Sequence, residues 1–302
     1  MLSSTAIDRE RTKQMKIKQF LVNIKVKWKM FFLHDGAHTN YDRRQDRKIC
    51  KCDLTEYVPS LYRESKGATG SQQTHYRILD EIFKELSFAE SDSFIDVGCG
   101  KGRILAYMLS QKFKGKLTGI ELNEDVASIA QKWSRPYDNV TVIAGDAFAL
   151  DLTQYNVFFL GRPFEKKTFV AFLKKFENEI REKVTFIYWW DQQSGHFLQN
   201  RPGWTVRRSG AVHKLKVWKW LPFSFKTAET PQQYTIWEFD PEARRASDAP
   251  VFEDLADCDD YSLLKESLDV YCTRYNITFD RTASGDIYLR PNRSKPSKKA
   301  GG

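Results

Sequence analysis

Asp96, Gly98, Gly100 and Gly102 stand in the run Phe94-Ile-Asp-Val-Gly-Cys-Gly-Lys-Gly-Arg103. Two further acids follow, Glu121 in Gly119-Ile-Glu-Leu122 and Asp146 in Ala144-Gly-Asp-Ala-Phe148. An apolar stretch leading through a glycine turn into a helix presents backbone N–H groups to a charged ligand at the helix N-terminus. Several ligands use that arrangement, so spacing decides. A dinucleotide site needs G-x-G-x-x-G, and Arg103 stands where its third glycine would be. A P-loop needs its second glycine at the same place, and fails for the same reason.

What remains is an acid followed by three alternating glycines. That suits a nucleoside carrying an ammonium and a carboxylate rather than a pyrophosphate. Asp96 favours the ammonium, N–H groups at the helix start meet the carboxylate, and the glycines let the backbone come close. Glu121 lies 25 residues after Asp96 and ends the next apolar stretch, the place from which a carboxylate holds a ribose diol. Asp146 ends the third stretch and can accept from an adenine amine, with Phe148 covering the ring. Each such acid taken singly is also a common cap or turn residue. Three at successive strand ends point to S-adenosylmethionine (SAM), with Asp96, Gly98, Cys99, Gly100, Gly102, Glu121, Leu122, Asp146 and Ala147 as the cofactor-binding set.

These residues need a scaffold that lines up strand ends. From residue 93 onward, strands expected at 94–97, 117–122, 140–144, 156–160 and 184–190 alternate with helices at 103–112, 125–133 and 167–180. The alternation predicts a Rossmann-like, doubly wound α/β sheet, mostly parallel. Strand-like stretches at 204–220 and 234–239 suit an antiparallel edge hairpin. Residues 74–87 read as a helix, and 34–73 as a polar stretch containing Tyr41-Asp-Arg-Arg44 and Gly67-Ala-Thr-Gly70. Residues 241–257 read as a linker. A small α+β appendage follows, with a helix at 261–275, a hairpin at 277–279 and 287–289 turning at Ser284-Gly-Asp286, and a disordered Lys- and Ser-rich tail. The expected divisions are 1–48, a basic segment; 49–245, the catalytic domain; and 246–302, the appendage.

The net charge is +9 over 302 residues, and the first 50 residues hold 12 Lys and Arg against 5 Asp and Glu. Residues 13–33 read as a basic amphipathic helix. Its apolar stripe can dock on the main domain or lie on a membrane surface. The basic segment 9–48 is thus a candidate contact for an anionic surface. Five cysteines with no paired spacing suggest a reducing compartment, and Cys50-x-Cys52 is too tight for a zinc knuckle, so no metal is expected. No signal peptide and no apolar run of about 18–20 residues appears, so the expected location is cytoplasmic, at most peripheral at a membrane.

Residues 94–164 resemble the cofactor half of class I SAM-dependent methyltransferases. The glycine run, with Tyr41-Asp-Arg-Arg44 upstream, is similar to a set of bacterial methyltransferase-like proteins, loosely over 40–240 and most strongly over 94–148. The resemblance implies a seven-stranded sheet and SAM at Asp96, Gly98, Gly100, Glu121 and Asp146. In amine-directed relatives the loop after the fourth strand carries Asn or Asp before Pro and an aromatic. Here Pro163 and Phe164 follow Arg162. Arginine donates only and cannot accept from an amine, so Arg162, Pro163 and Phe164 form a substrate-loop candidate suited to an anion. Asp191, His196 and Tyr62 are candidate bases, none singled out. The expectation is methyl transfer to a protein side chain or a small molecule. The alternatives are a nucleic-acid methyltransferase and a non-catalytic SAM-binding protein.

Overall fold

The computed structural model describes residues 35–191, 194–212, 232–243, 277–281 and 287–291. The expected helix at 13–33, the helix at 261–275, the turn at 284–286 and the tail lie outside the described residues.

Five parallel strands form the centre: β1 (Ser93–Val97), β2 (Lys116–Glu121), β3 (Val140–Ala144), β4 (Val157–Leu160) and β5 (Val184–Trp189). β6 (Trp204–Val212) and β7 (Gln232–Phe239) form an antiparallel hairpin, and β7 pairs antiparallel with β5. The order is β3-β2-β1-β4-β5-β7-β6. β1 therefore lies between β2 and β4, where the winding direction reverses, and the crevice at that switch point is where open α/β sheets bind ligands.

The strands are apolar on both faces because helices cover both. Ile95, Val97, Phe158, Leu160, Phe186 and Tyr188 enter one core cluster. The intervening Phe94, Val157, Phe159, Ile187 and Trp189 enter the other. This period of two is what a sheet buried on both faces requires. α6 (Lys166–Glu179) covers the first face with Phe169, Val170, Phe172, Leu173 and Phe176, spaced as one helical stripe. α3 (Tyr76–Phe83) and α4 (Arg103–Ser110) cover the second. α5 (Glu124–Ser134) starts where the Asn123 side chain accepts from the N–H groups of Asp125 and Val126 at 3.0 and 3.3 Å.

The polar stretch at 34–73 is not structureless. It forms α1 (Asp35–Ile49), a short helix α2 (Arg63–Lys66), and a strap between them and α3. α1 runs across the 48/49 division expected from charge and contacts α3 and α4. What anchors it is charge: Asp42 and Asp46, one turn apart and both 0 % exposed, meet Arg103, which is 1 % exposed. Arg103 grips Asp46 at two points, Nε to Oδ1 at 3.1 Å and Nη2 to Oδ2 at 2.6 Å, and donates to Asp42 Oδ2 at 3.2 Å. His75 Nδ1 lies 2.5 Å from that Asp42 oxygen, and the Tyr76 and Leu54 N–H groups donate to the two carboxylates.

The described part of the expected strand at 204–220 is β6, and of the linker only Pro241–Ala243, a 3-10 turn, is described. β8 (Ile277–Arg281) and β9 (Ile287–Pro291) form a separate two-stranded antiparallel pair, matching the expected hairpin. Among the described residues no helix is long and apolar enough to cross a membrane.

Candidate cofactor and acceptor site

The loop between β1 and α4 is the floor of the site. Gly98, Gly100 and Gly102 all hold positive φ, at 76°, 54° and 84°. At Gly98 the need is also one of space. A Cβ there would sit 2.5 Å from the Pro163 side chain, so the loops after β1 and β4 touch only because the side chain is missing. Gly102 has a different part. It is the residue before α4, a Cβ on it would meet Trp133 at 2.9 Å, and it does not line the cleft. It packs the start of the helix against Trp133 of α5.

The cleft above this loop has a volume of about 830 Å³. Asp96, Gly98, Cys99, Gly100, Glu121, Leu122, Asp146 and Ala147 all line it, as do Pro163 and Phe164. Eight of the nine expected cofactor residues thus converge, from the ends of β1, β2 and β3. Asp96 is 2 % exposed and its Oδ2 is buried with no hydrogen-bond partner. Burial, reinforced by the nearby Glu121 carboxylate, pushes its pKa well above the usual range. An orphaned carboxylate oxygen on a ligand cleft fits an incoming ammonium. Glu121 accepts from Gly100 N–H through Oε2 and Asn123 N–H through Oε1, each at 2.9 Å. Burial raises its pKa while those N–H groups oppose the rise.

Asp146 has a cap's work as well as a place on the cleft. Its Oδ1 accepts from Phe148 N–H at 3.0 Å and its Oδ2 lies 3.1 Å from Lys66 Nζ. Phe148 is 36 % exposed and lies 6.0 Å, centroid to centroid, from Phe164.

The strap closes the site from the other side. Thr69 N–H donates to the Pro163 carbonyl at 2.9 Å, and Glu165 N–H donates to Gly67 at 2.7 Å. The Thr69 hydroxyl donates to the Arg162 carbonyl at 2.8 Å, and the Arg103 N–H to the Gln73 side chain at 3.3 Å. The buried Lys101 donates to the Glu56 carbonyl at 2.9 Å. Lys66, Thr69, Ser71 and Gln73 line the cleft and were not singled out in the sequence; the Gly67-Ala-Thr-Gly70 run was the available signal.

The acceptor-side candidates separate. Pro163 and Phe164 line the cofactor cleft, whereas Arg162 lines an adjoining cavity. Of the candidate bases, Tyr62 precedes α2 and lines neither cavity. Asp191 is 7 % exposed beyond the end of β5, lines neither cavity, and accepts from the Thr235 hydroxyl. Burial pushes its pKa up to about 7 despite that hydrogen bond. His196 falls in the 3-10 turn Gly195–Leu198, and its side chain is outside the described residues.

Residues 89–187 match the family model described as a methyltransferase domain. The ribosomal RNA small subunit methyltransferase A of Clostridium acetobutylicum is 32% identical over 90 residues, 30% of this chain and 32% of that protein. The match thus spans about a third of the relative's length. Among solved structures, an RNA methyltransferase from Salinibacter ruber in complex with S-adenosylhomocysteine is 17% identical, covering 60% of this chain and 99% of that one at a TM-score of 0.42. A methyltransferase from Pyrococcus furiosus is 15% identical, covering 69% and 98% at a TM-score of 0.45. The matched span takes in β1–β4 and the glycine loop, with Glu121 and Asp146.

Proposed function

We propose that this protein transfers a methyl group from SAM to a small-molecule or protein acceptor. The observation that carries the reading is the buried, unpartnered Asp96 oxygen beside the glycine loop, with Glu121 and Asp146 on the same cleft. In this reading Asp96 holds the ammonium, Glu121 the ribose hydroxyls and Asp146 the adenine amine, while Gly98 and Gly100 let the backbone approach. Bound SAM, held by these residues, would supply a sulfonium-activated methyl group to an acceptor lone pair.

The protein's part is position. Neither Tyr62 nor Asp191 reaches either cavity, and alignment with water excluded can supply roughly 7–11 kcal/mol without a base. The strap and the Pro163-Phe164 loop are joined by backbone hydrogen bonds over the cleft, which suits them to holding an acceptor against the methyl group.

Calorimetry with SAM and S-adenosylhomocysteine tests the cofactor assignment. Asp96→Ala should weaken binding by about a hundredfold, because a charge-assisted contact is lost. Binding should also weaken as pH falls, since a raised Asp96 must lose its proton before it meets an ammonium. Intact protein that binds neither ligand sinks the reading. The ribosomal RNA methyltransferase relative and the basic segment 9–48 support a second reading, a nucleic-acid acceptor. Radiolabelled SAM offered with fractionated lysate distinguishes the two by where the label settles.

A further inference from the structure

The strap reaches the glycine loop through two polar side chains. Gly100 is buried, and a Cβ on it would lie 2.4 Å from Ser71 Oγ and 2.6 Å from Gln73 Nε2. Both groups therefore rest directly on the Gly100 backbone. Gln73 Nε2 donates to Ser71 Oγ at 3.0 Å, and Gln73 Oε1 accepts from the Arg103 N–H at 3.3 Å. A backbone N–H can only donate, which fixes the amide with its oxygen toward α4 and its nitrogen toward Ser71. Ser71 is held in turn by two backbone hydrogen bonds with Val58, at 2.8 and 3.0 Å. A hydroxyl that accepts from Gln73 keeps its own proton to donate, and the amide keeps its second N–H. Ser71 and Gln73 line the cofactor cleft together with Asp96.

The glycine loop itself keeps little to offer an anion. The N–H groups of Gly98 and Cys99 both donate to the Ile120 carbonyl at 2.9 Å, and that of Gly102 donates to the Cys99 carbonyl at 2.8 Å. Gly100 N–H is taken by Glu121. These N–H groups, expected to meet a carboxylate, are thus bonded inside the protein. The neighbouring cations are engaged too: Lys101 donates to the Glu56 carbonyl, and Arg103 meets Asp42 and Asp46. Asp96 and Glu121 make this part of the cleft acidic, which suits an ammonium and opposes a carboxylate. In an amino acid the two groups share one carbon. A donor for the carboxylate must therefore stand on the same loop as Asp96, and Ser71 and Gln73 place two donors there.

We propose that Ser71 and Gln73 hold the carboxylate of SAM, so that the strap reads the amino-acid end of the cofactor while Asp96 takes its ammonium. This rests on the SAM reading above and adds two binding residues to it. The test is calorimetry on the full chain with three ligands: SAM; decarboxylated SAM, which keeps the ammonium; and 5′-methylthioadenosine, which lacks both charged groups. The unaltered chain should bind SAM at least about tenfold more tightly than decarboxylated SAM. Ser71→Ala and Gln73→Leu should each weaken SAM binding by about tenfold, while decarboxylated SAM and methylthioadenosine move less than about threefold. Gln73→Glu keeps an oxygen for the Arg103 N–H but sets a negative charge against the carboxylate. It should weaken SAM at least as much as Gln73→Leu and leave methylthioadenosine unchanged. Asp96→Ala, by contrast, should weaken SAM and decarboxylated SAM alike. Equal losses of all three ligands in the Ser71 and Gln73 variants would mean that the strap only supports the loop, and would overturn the proposal. SAM affinity indifferent to Gln73→Glu, or no greater than that of decarboxylated SAM, also overturns it. Each of these results leaves the cofactor reading standing, whereas an unaltered chain that binds none of the three ligands removes both.

Discussion

The carboxyl edge of the sheet divides into two halves built on different terms. The cofactor half, at the ends of β1, β2 and β3, draws its groups from residues close in sequence, and its loop is shaped by glycines and backbone N–H groups. The half proposed for the acceptor, beyond β4 and β5, is assembled from pieces far apart: the strap, the Arg162–Phe164 loop, Trp190, and β7, which supplies Gln233 and Thr235. Rules of strand order and turn geometry suffice for the first. The second depends on side chains peculiar to this chain. A shared fold therefore predicts what is bound at one half and says little of what is bound at the other.

The largest effect is expected where the halves are joined, at Arg103. Arg103→Met leaves Asp42 and Asp46 buried without their cation, and breaking a buried pair in this way costs about 3–5 kcal/mol. Adding Asp42→Asn and Asp46→Asn should restore much of that loss in urea unfolding. A loss below about 1 kcal/mol for Arg103→Met would show that α1 and α4 stand independently.

A smaller effect is confined to the acceptor half. Burial lifts Asp191 from an ordinary 3.8 to about 7. A carboxyl raised on folding contributes stability that is whole at acid pH, drains as pH climbs toward the folded value, and is level above it. The melting temperature of the wild type should therefore fall against that of Asp191→Asn between about pH 4 and pH 7, by several degrees. Parallel profiles for the two proteins would mean that Asp191 titrates normally.

The smallest effect tests the contact of the strap with the cofactor half. The Lys66–Asp146 pair is largely open to solvent, with side-chain exposures of 55% and 34%. Lys66→Ala should tighten S-adenosylhomocysteine binding by no more than about threefold, and the difference should vanish in high salt. A loss of affinity would instead make Lys66 part of the cofactor site.

Legibility in the sequence follows the same division. The strands of the parallel sheet lie within a residue or two of expectation, because apolar runs bounded by turn residues and helices record themselves locally. The three acids and Gly98 and Gly100 reach one cleft because each ends a strand or opens a helix. α1 leaves no such record. Its sequence, Asp-Gly-Ala-His-Thr-Asn-Tyr-Asp-Arg-Arg-Gln-Asp-Arg-Lys-Ile, has no apolar stripe, and two of its buried residues are the acids Asp42 and Asp46. Two acids four apart on one helical face hint at a buried cation, but that cation lies 57 residues from Asp46. The strap is held largely by backbone hydrogen bonds, which side-chain types do not announce. Gly102 fits the motif's spacing yet packs against Trp133, since spacing marks where a glycine is needed without saying against what.

Arg103, the residue that sets this loop apart from both nucleotide fingerprints, also defines how the molecule can be divided. The span matched by the methyltransferase family begins at residue 89, yet the first helix after its glycine loop opens on a guanidinium neutralised by residues 42 and 46. A chain cut to the matched span carries a buried cation with no counter-ion. The unit of recognition is thus smaller than the unit of folding, and the domain is separable on paper before it is separable in solution.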